Sequence, residues 1–560
     1  MSLHLRSDDD AVVVSPPLPQ GAGYAVVVAL GLVFAIGMIG ITRLLKKSLH
    51  EDNANVETHG FGVQLYLAVF WSRTFTESQE VSGTIAHLIF TFLAIINNLF
   101  NTINMILGAA AVITSLTGMH IMASTFLLPI FDGLHTYIHV GSIDGLYDLV
   151  VRAQPTHEVD GNYQGSLLTM NSQQGIFFAI ILLVSNFGAV IMDTSYFIKA
   201  FAASPKAVVP GYVVGGFTYF GIPWCLGTIM GLAALGLESS PIFPTYPQPM
   251  TSTEVANGLI LPYVAVAVAG KGGAVAVLLM TFMAITSTLS AQVIAVSSIF
   301  TFDFYRTYIN KNAGNKDVIR WSHLGVILFA AISAGLTAAF NYGGISMGWT
   351  LYMIGVVTCP GIFPLVFTIL WDKQSSLAAI ISSVGGLATG LGVWLGTAQA
   401  LFGEISVDST GQTLPCMYGT VASALSPLLY TIILSFIWPD NYDWTRFTDE
   451  KLLLDNDAST EELEREEPTR QASKGGVLTE AAEVPYDKSD LRWQRYALFW
   501  SLFSFFGIWV LWPLPMYGAK YIFTKVVVDR GLADMAVGKP LGVGHIPIIL
   551  RKEANHEGIT

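Results

Sequence analysis

Two stretches of this chain carry residues whose type and spacing suit the handling of a cation or a small polar solute. The first, residues 284–306, reads AITSTLSAQVIAVSSIFTFDFYR. Hydroxyls at Thr286, Ser287, Thr288 and Ser290 fall within about one helical turn, and Ser297 and Ser298 follow two turns later. Alkali cations are hard and want oxygen ligands, which hydroxyls and loosened backbone carbonyls supply without an unpaired charge. Serine and threonine also bond back to their own helix, so the residues alone support either use.

The second stretch, 186–216, reads NFGAVIMDTSYFIKAFAASPKAVVPGYVVGG. It sets Asn186, Asp193, Ser195 and Tyr196 near the end of an apolar run, ahead of a short loop with Lys199 and Lys206. An acid at membrane depth is a functional-site candidate, because an isolated carboxylate there is costly unless it faces water, a partner or a substrate. Pairing of Asp193 with one of the two lysines is the alternative. In a third polar group Asn97, Asn101 and Asn104 repeat at helical spacing, with Asn98 and Thr102 beside them. Such amides either line a solute pathway or bond one helix to another. His135 and His139, four apart beside Asp132, make a weak metal pair for which ordinary hydrogen bonding is the simpler account.

The elements that must position these residues are membrane helices. Apolar runs near 23–45, 84–116, 174–198, 209–237, 274–302, 322–341, 347–371, 376–402, 417–438 and 496–516 meet the roughly 20-residue length of a bilayer span. Only 12% of residues are charged and the mean hydropathy is +0.55, against a charged share of about 25% in soluble domains. The class expected is all-α, a polytopic membrane bundle of about eleven to twelve helices. The Gly386/Gly390 and Gly392/Gly396 pairs read as close-packing seams. Cys225, Cys359 and Cys416 lie far apart and read as packing residues rather than a disulfide or zinc set.

Topology follows from the basic residues. Arg43, Lys46 and Lys47 end the first apolar run, and Arg306, Lys311, Lys316 and Arg320 follow another; both groups should be cytoplasmic. Residues 1–20, with Asp8 to Asp10, then form an extracellular tail. A transporter membrane domain spans 21–440, an acidic cytoplasmic loop 441–493, a last membrane helix 494–516 and a C-terminal tail 517–560. The net charge of −12 gathers in the first residues and the acidic loop, and no basic cluster suits nucleic acid.

At the hydroxyl run the chain resembles a known family. STLSAQVIAVSSIFTFDFYR resembles the eighth core helix of the sodium:solute symporter family, and residues 186–237 resemble its sixth and seventh. The wording of the latter, with PLPQGAGYAVVVALGLVFAIGMI and QGSLLTMNSQQGIFF, is most similar to the family's urea active transporters of fungi and plants. The resemblance implies a LeuT-type inverted-repeat fold with a solute near the midplane. It places a sodium site on the backbone of Ala284 and the hydroxyls of Ser287 and Thr288. It turns Asp193, Asn186 and Tyr196 toward the solute, joined by Asn98. Urea suits such a set, offering one carbonyl acceptor and two amino groups. Being neutral, it needs a co-moving cation, worth about 2.3 kcal/mol per 100 mV or roughly fifty-fold accumulation.

The chain departs from that family in its first half. After Leu49 the first core helix is missing, and after Pro129 the fourth and fifth are reduced to a short remnant, so the first repeat is incomplete. If 61–72 and 121–138 both cross, helix 84–116 is inverted relative to the family; if only 84–116 crosses, it keeps the family orientation. The functional expectation is a plasma-membrane symporter importing urea or a similar small polar solute, polyamines included. Its partners would be the solute, a coupling cation (sodium or proton) and the bilayer. It would need no cofactor and perform no enzymatic reaction, since no HExxH, GxSxG or clustered carboxylate set occurs in the spans. The rival is a transport-incompetent truncated form that acts as a membrane sensor or interaction protein.

Overall fold

The computed structural model describes residues 16–19, 21, 80–117, 143–196, 205–310, 313–440, 488–511 and 513–525. Among these there is no strand, and eight helices are long and apolar enough to cross a membrane. With no water in the hydrocarbon, each backbone amide and carbonyl must be satisfied within its own helix. The first is α1, Glu80–Thr117. A short helix α2, Ile143–Ala153, precedes α3, Gln173–Met192. Then come α4, Pro205–Leu237, and α5, Ile260–Ser298. They are followed by α6, Asn315–Tyr342, α7, Met347–Thr358, and α8, Ile362–Leu370. The last are α9, Ser376–Phe402, α10, Thr413–Ile437, and α11, Lys488–Ser504. The expected span at 23–45 and the remnants at 61–72 and 121–138, with His135 and His139, lie outside the described residues.

Several ends are set by local chemistry. Ser172, Ser346 and Ser375 each accept a backbone N–H from three residues on, capping α3, α7 and α9. Gly403 stops α9 with φ +78°, the left-handed turn that glycine adopts without penalty. The fifth span departs from its expected bounds. It begins at Ile260, breaks at Gly270 (φ +55°, ψ −134°) and continues beyond Ser298 as a π-wound turn, Ile299–Ile309.

Inside a bilayer, helices associate through close packing and interhelical hydrogen bonds rather than through burial from water. The α9–α10 seam shows both. A side chain at Gly386 would strike Pro427 and one at Gly390 would strike Ser423. Ser382 receives the Thr431 hydroxyl at 2.6 Å, and Thr389 shares a 2.9 Å bond with Tyr430. Among the described residues nothing lies within 4 Å of a Cβ added at Gly392 or Gly396, so there the first of the two expected glycine seams is the one that packs. Cys359 and Cys416 are buried and unpaired with each other, as packing residues are.

Helix ends sort onto two faces. The basic face carries Lys316 and Arg320 at the start of α6. The opposite face gathers Leu116, whose carbonyl accepts from Leu18, and Glu238, bonded to His157 at 2.5 Å. Asn257, on the N–H of Met347, and Trp349, on Thr410, lie there too. α1 starts at the basic face, where His87 meets Tyr308, and ends at the opposite face, where α3 begins. The two helices therefore run antiparallel, which gives 84–116 the family orientation rather than the inverted one.

Candidate solute and cation site

The polar centre of the bundle forms where α3 fails. The helix stops at Met192, Asp193 turns extended (φ −89°, ψ 104°), and helical backbone resumes at Thr194. Asp193 is only 5% exposed. Its Oδ1 accepts the backbone N–H of Ser195 at 2.8 Å, and its Oδ2 accepts from Nε2 of Gln292 on α5 at 2.7 Å. Hydrogen bonds to a carboxylate are stronger than neutral ones, so this pair ties the break in α3 to α5. The described partners of Asp193 are thus an amide and a backbone N–H. Lys199 and the Lys206 side chain lie outside the described residues.

Polar capacity remains around that bridge. The Oε1 of Gln292 is buried with no partner, as is the hydroxyl of Thr194. Leaving such a group unsatisfied costs about 1–3 kcal/mol. A ligand carrying both donors and acceptors would relieve it. Asn98 is fully buried; its Nδ2 donates to the Ala94 carbonyl of its own helix at 2.9 Å, and its Oδ1 has no partner. Asn186 and Tyr196 are exposed, and the Tyr196 carbonyl receives the Tyr212 hydroxyl at 2.5 Å. Of the four residues expected at the solute, Asp193 and Asn98 are thus buried with spare acceptor capacity or an orphaned oxygen, while Asn186 and Tyr196 face outward. The neighbouring asparagines serve as interhelical ties. Asn97 donates to Ala189 of α3 at 3.2 Å, and Asn104 accepts the Thr350 hydroxyl of α7 at 2.9 Å.

The cation triad is less assembled. The Thr288 hydroxyl donates to the Ala284 carbonyl at 2.9 Å, the bond back to its own helix that threonine makes without a cation. Ala284, Ser287 and Thr288 are all exposed, so this face of α5 is open instead of turned into the bundle. Among the described residues no helix covers this face of α5, which by itself supplies half a coordination shell. No group of three or more His, Cys, Asp or Glu that could hold a metal is present among the described residues.

Gln292 is the site residue that the sequence reading passed over. It stands in the quoted α5 motif, four residues past Thr288, where a lone amide in an apolar helix carries no pattern of its own.

Membrane-length helices around a discontinuous helix with a buried polar break are the construction of a multi-pass secondary transporter. The chain belongs to the sodium:solute symporter family, whose family-wide sequence pattern matches residues 90–386. It is 35% identical to the probable urea active transporter 1 of Schizosaccharomyces pombe, over 92% of this chain and 88% of that protein. It is 33% identical to the urea active transporter of Saccharomyces cerevisiae, over 91% and 88%. It is also 32% identical to the urea-proton symporter DUR3 of Oryza sativa, over 76% and 65%. The first alignment runs over 606 positions, more than the 560 residues of this chain. That relative therefore carries segments that this chain lacks.

Proposed function

We infer that this chain is a plasma-membrane symporter that moves urea inward with a cation. The observation that carries the reading is the similarity to urea transporters over about nine-tenths of both chains. The geometry supports it. Asp193 offers acceptors to the urea amino groups, and the orphaned acceptors of Gln292 and Asn98 add further sites for the same N–H donors. With the basic face cytoplasmic, Asp193 ends a helix that enters from outside, where an imported solute would be held before release. Coupling to one cation supplies about 2.3 kcal/mol per 100 mV, which a neutral solute cannot draw from the potential itself.

Isotope-labelled urea uptake by a host lacking its own transporter tests this. Concentrative uptake that collapses with the membrane potential is the expected result. Background uptake despite surface expression would reject it. That outcome would favour the second reading, a transport-incompetent form, which two findings support: the open Ser287–Thr288 face and the segments absent relative to the yeast protein.

A further inference from the structure

Asp303 has no part in the site described above, yet it is a buried acid with an unsatisfied oxygen. It is 5% exposed, its Oδ2 has no hydrogen-bond partner, and no ion pair among the described residues reaches it. It lies in the π-wound turn Ile299–Ile309. Residues five apart in an α-helix point about 140° apart, whereas π-winding bonds residue i to i+5 and stacks them on one face. The backbone N–H of Asn310 reaches the Tyr305 carbonyl in this five-residue step. Asp303 and Tyr308 consequently share a face of the π turn.

That face meets α1. Ile299, four residues before Asp303, packs among Ala86, Phe90 and Leu93, and the Tyr308 hydroxyl lies 2.7 Å from Nδ1 of the buried His87. One turn along α1, the Thr91 hydroxyl is buried without a partner, and so is that of Thr301 on the π turn. The charges on the other packed element are turned away. On α6, Lys316, Arg320 and His323 are exposed, and Asp317 pairs with Arg320 at 3.4 Å. Trp321 stacks on Tyr305. Among the described residues of these elements the remaining cation is Arg306, on the π turn itself, which is half-buried and has an interaction of its own.

We propose that Asp303, flanked by the Tyr308–His87 pair, is a reversible proton-binding site on the cytoplasmic side of the solute site. A buried carboxylate without a cation is expensive and escapes the cost by taking a proton. Acid and histidine chains inside membrane proteins mark proton pathways. Binding forms an O–H bond on the carboxylate; release returns the proton to water at the basic face. Asp303 stands eleven residues beyond Gln292 on one helix, about 16 Å along its axis. The proton site thus lies between the solute bridge and the cytoplasm, where a co-moved proton would leave. Its role in coupling rests on the symport reading; its titration does not.

The test is infrared difference spectroscopy on the full chain in liposomes, stepping the pH between about 5 and 9. The expected result is a protonated-carboxyl band that titrates in the parent, is absent in Asp303→Asn and persists in Asp193→Asn. Tyr308→Phe and His87→Gln should move its midpoint, and these two guard against a Asp303→Asn protein that fails to fold. A band that persists in Asp303→Asn, that never titrates, or that responds to sodium at fixed pH would overturn the proposal. In cells, Asp303→Asn and Asp303→Glu should reach the surface and equilibrate urea without concentrating it, while the parent concentrates it. Undiminished accumulation in both variants would also overturn the coupling role. Absence of uptake by the parent would reject the symport reading and leave the infrared titration to decide the proton site.

Discussion

Gln292 holds Asp193 across 99 positions of sequence, with its amide nitrogen 2.7 Å from the Oδ2 of the carboxylate. One partner comes from the break that ends α3 and the other from the last two turns of α5. A change in the angle between these helices would strain that bond, so it is a joint between the break in α3 and α5.

Loss of either partner should weaken uptake. Asp193→Asn retains the shape but loses the charge-assisted bond, worth about 1.5–3 kcal/mol. The expected outcome is a rise of roughly ten- to a hundred-fold in the KM for labelled urea, at unchanged surface expression. Gln292→Leu should do the same. Kinetics equal to the parent for both would remove the bridge from the solute site.

The open face of α5 makes a different prediction. Ser287 and Thr288 are exposed, so a double change to alanine should alter thermal stability by no more than about 0.5 kcal/mol. If they bind the coupling cation, the sodium dependence of uptake should fall severalfold in the same variant. Full retention of that dependence would show that the cation binds elsewhere.

Two glycine pairs on one helix give an internal control. Gly386→Leu and Gly390→Leu should each destabilise the protein by about 1–3 kcal/mol or more, because the added side chain meets α10. Gly392→Leu and Gly396→Leu enter open space and should be near neutral. Thermal unfolding in detergent, followed by size-exclusion chromatography, would read the difference; equal melting of all four would contradict the seam.

The two faces can be labelled directly. Single cysteines at Lys316 and at Tyr246 should react with a membrane-impermeant reagent from opposite sides, Tyr246 from outside. Labelling of both from one side would reject the topology.

Much of this arrangement was legible because membrane helices announce themselves by length. The run read at 376–402 is the span of α9 itself. Bounds failed where a helix outlives its apolar stretch: the π-wound end of α5 carries Asp303, Tyr305 and Arg306, polar letters that read as a loop. Asp193 was visible as a lone acid in an apolar run. Its partner was not, because a hydrogen bond between positions 193 and 292 leaves no local pattern in either segment. The asparagine ladder carried two meanings at once, and geometry separated them. Asn97 and Asn104 tie helices together, while Asn98 keeps an unpartnered oxygen.

At the opposite face, the stretch after α11 is fastened to residues 168–171. Phe523 donates its N–H to Leu168 at 2.7 Å, and the Tyr521 carbonyl receives both the N–H of Met170 and the Thr169 hydroxyl. The Tyr517 carbonyl takes the Asn171 amide, and the Phe523 carbonyl takes the Tyr147 hydroxyl. From the 517–523 side these bonds use main-chain atoms alone. These hydrogen bonds are therefore indifferent to spelling. Side chains of the stretch can change at the cost of little more than the Lys520 ammonium over the Tyr163 ring, while shortening the chain before residue 517 would release residues 168–171 in one step.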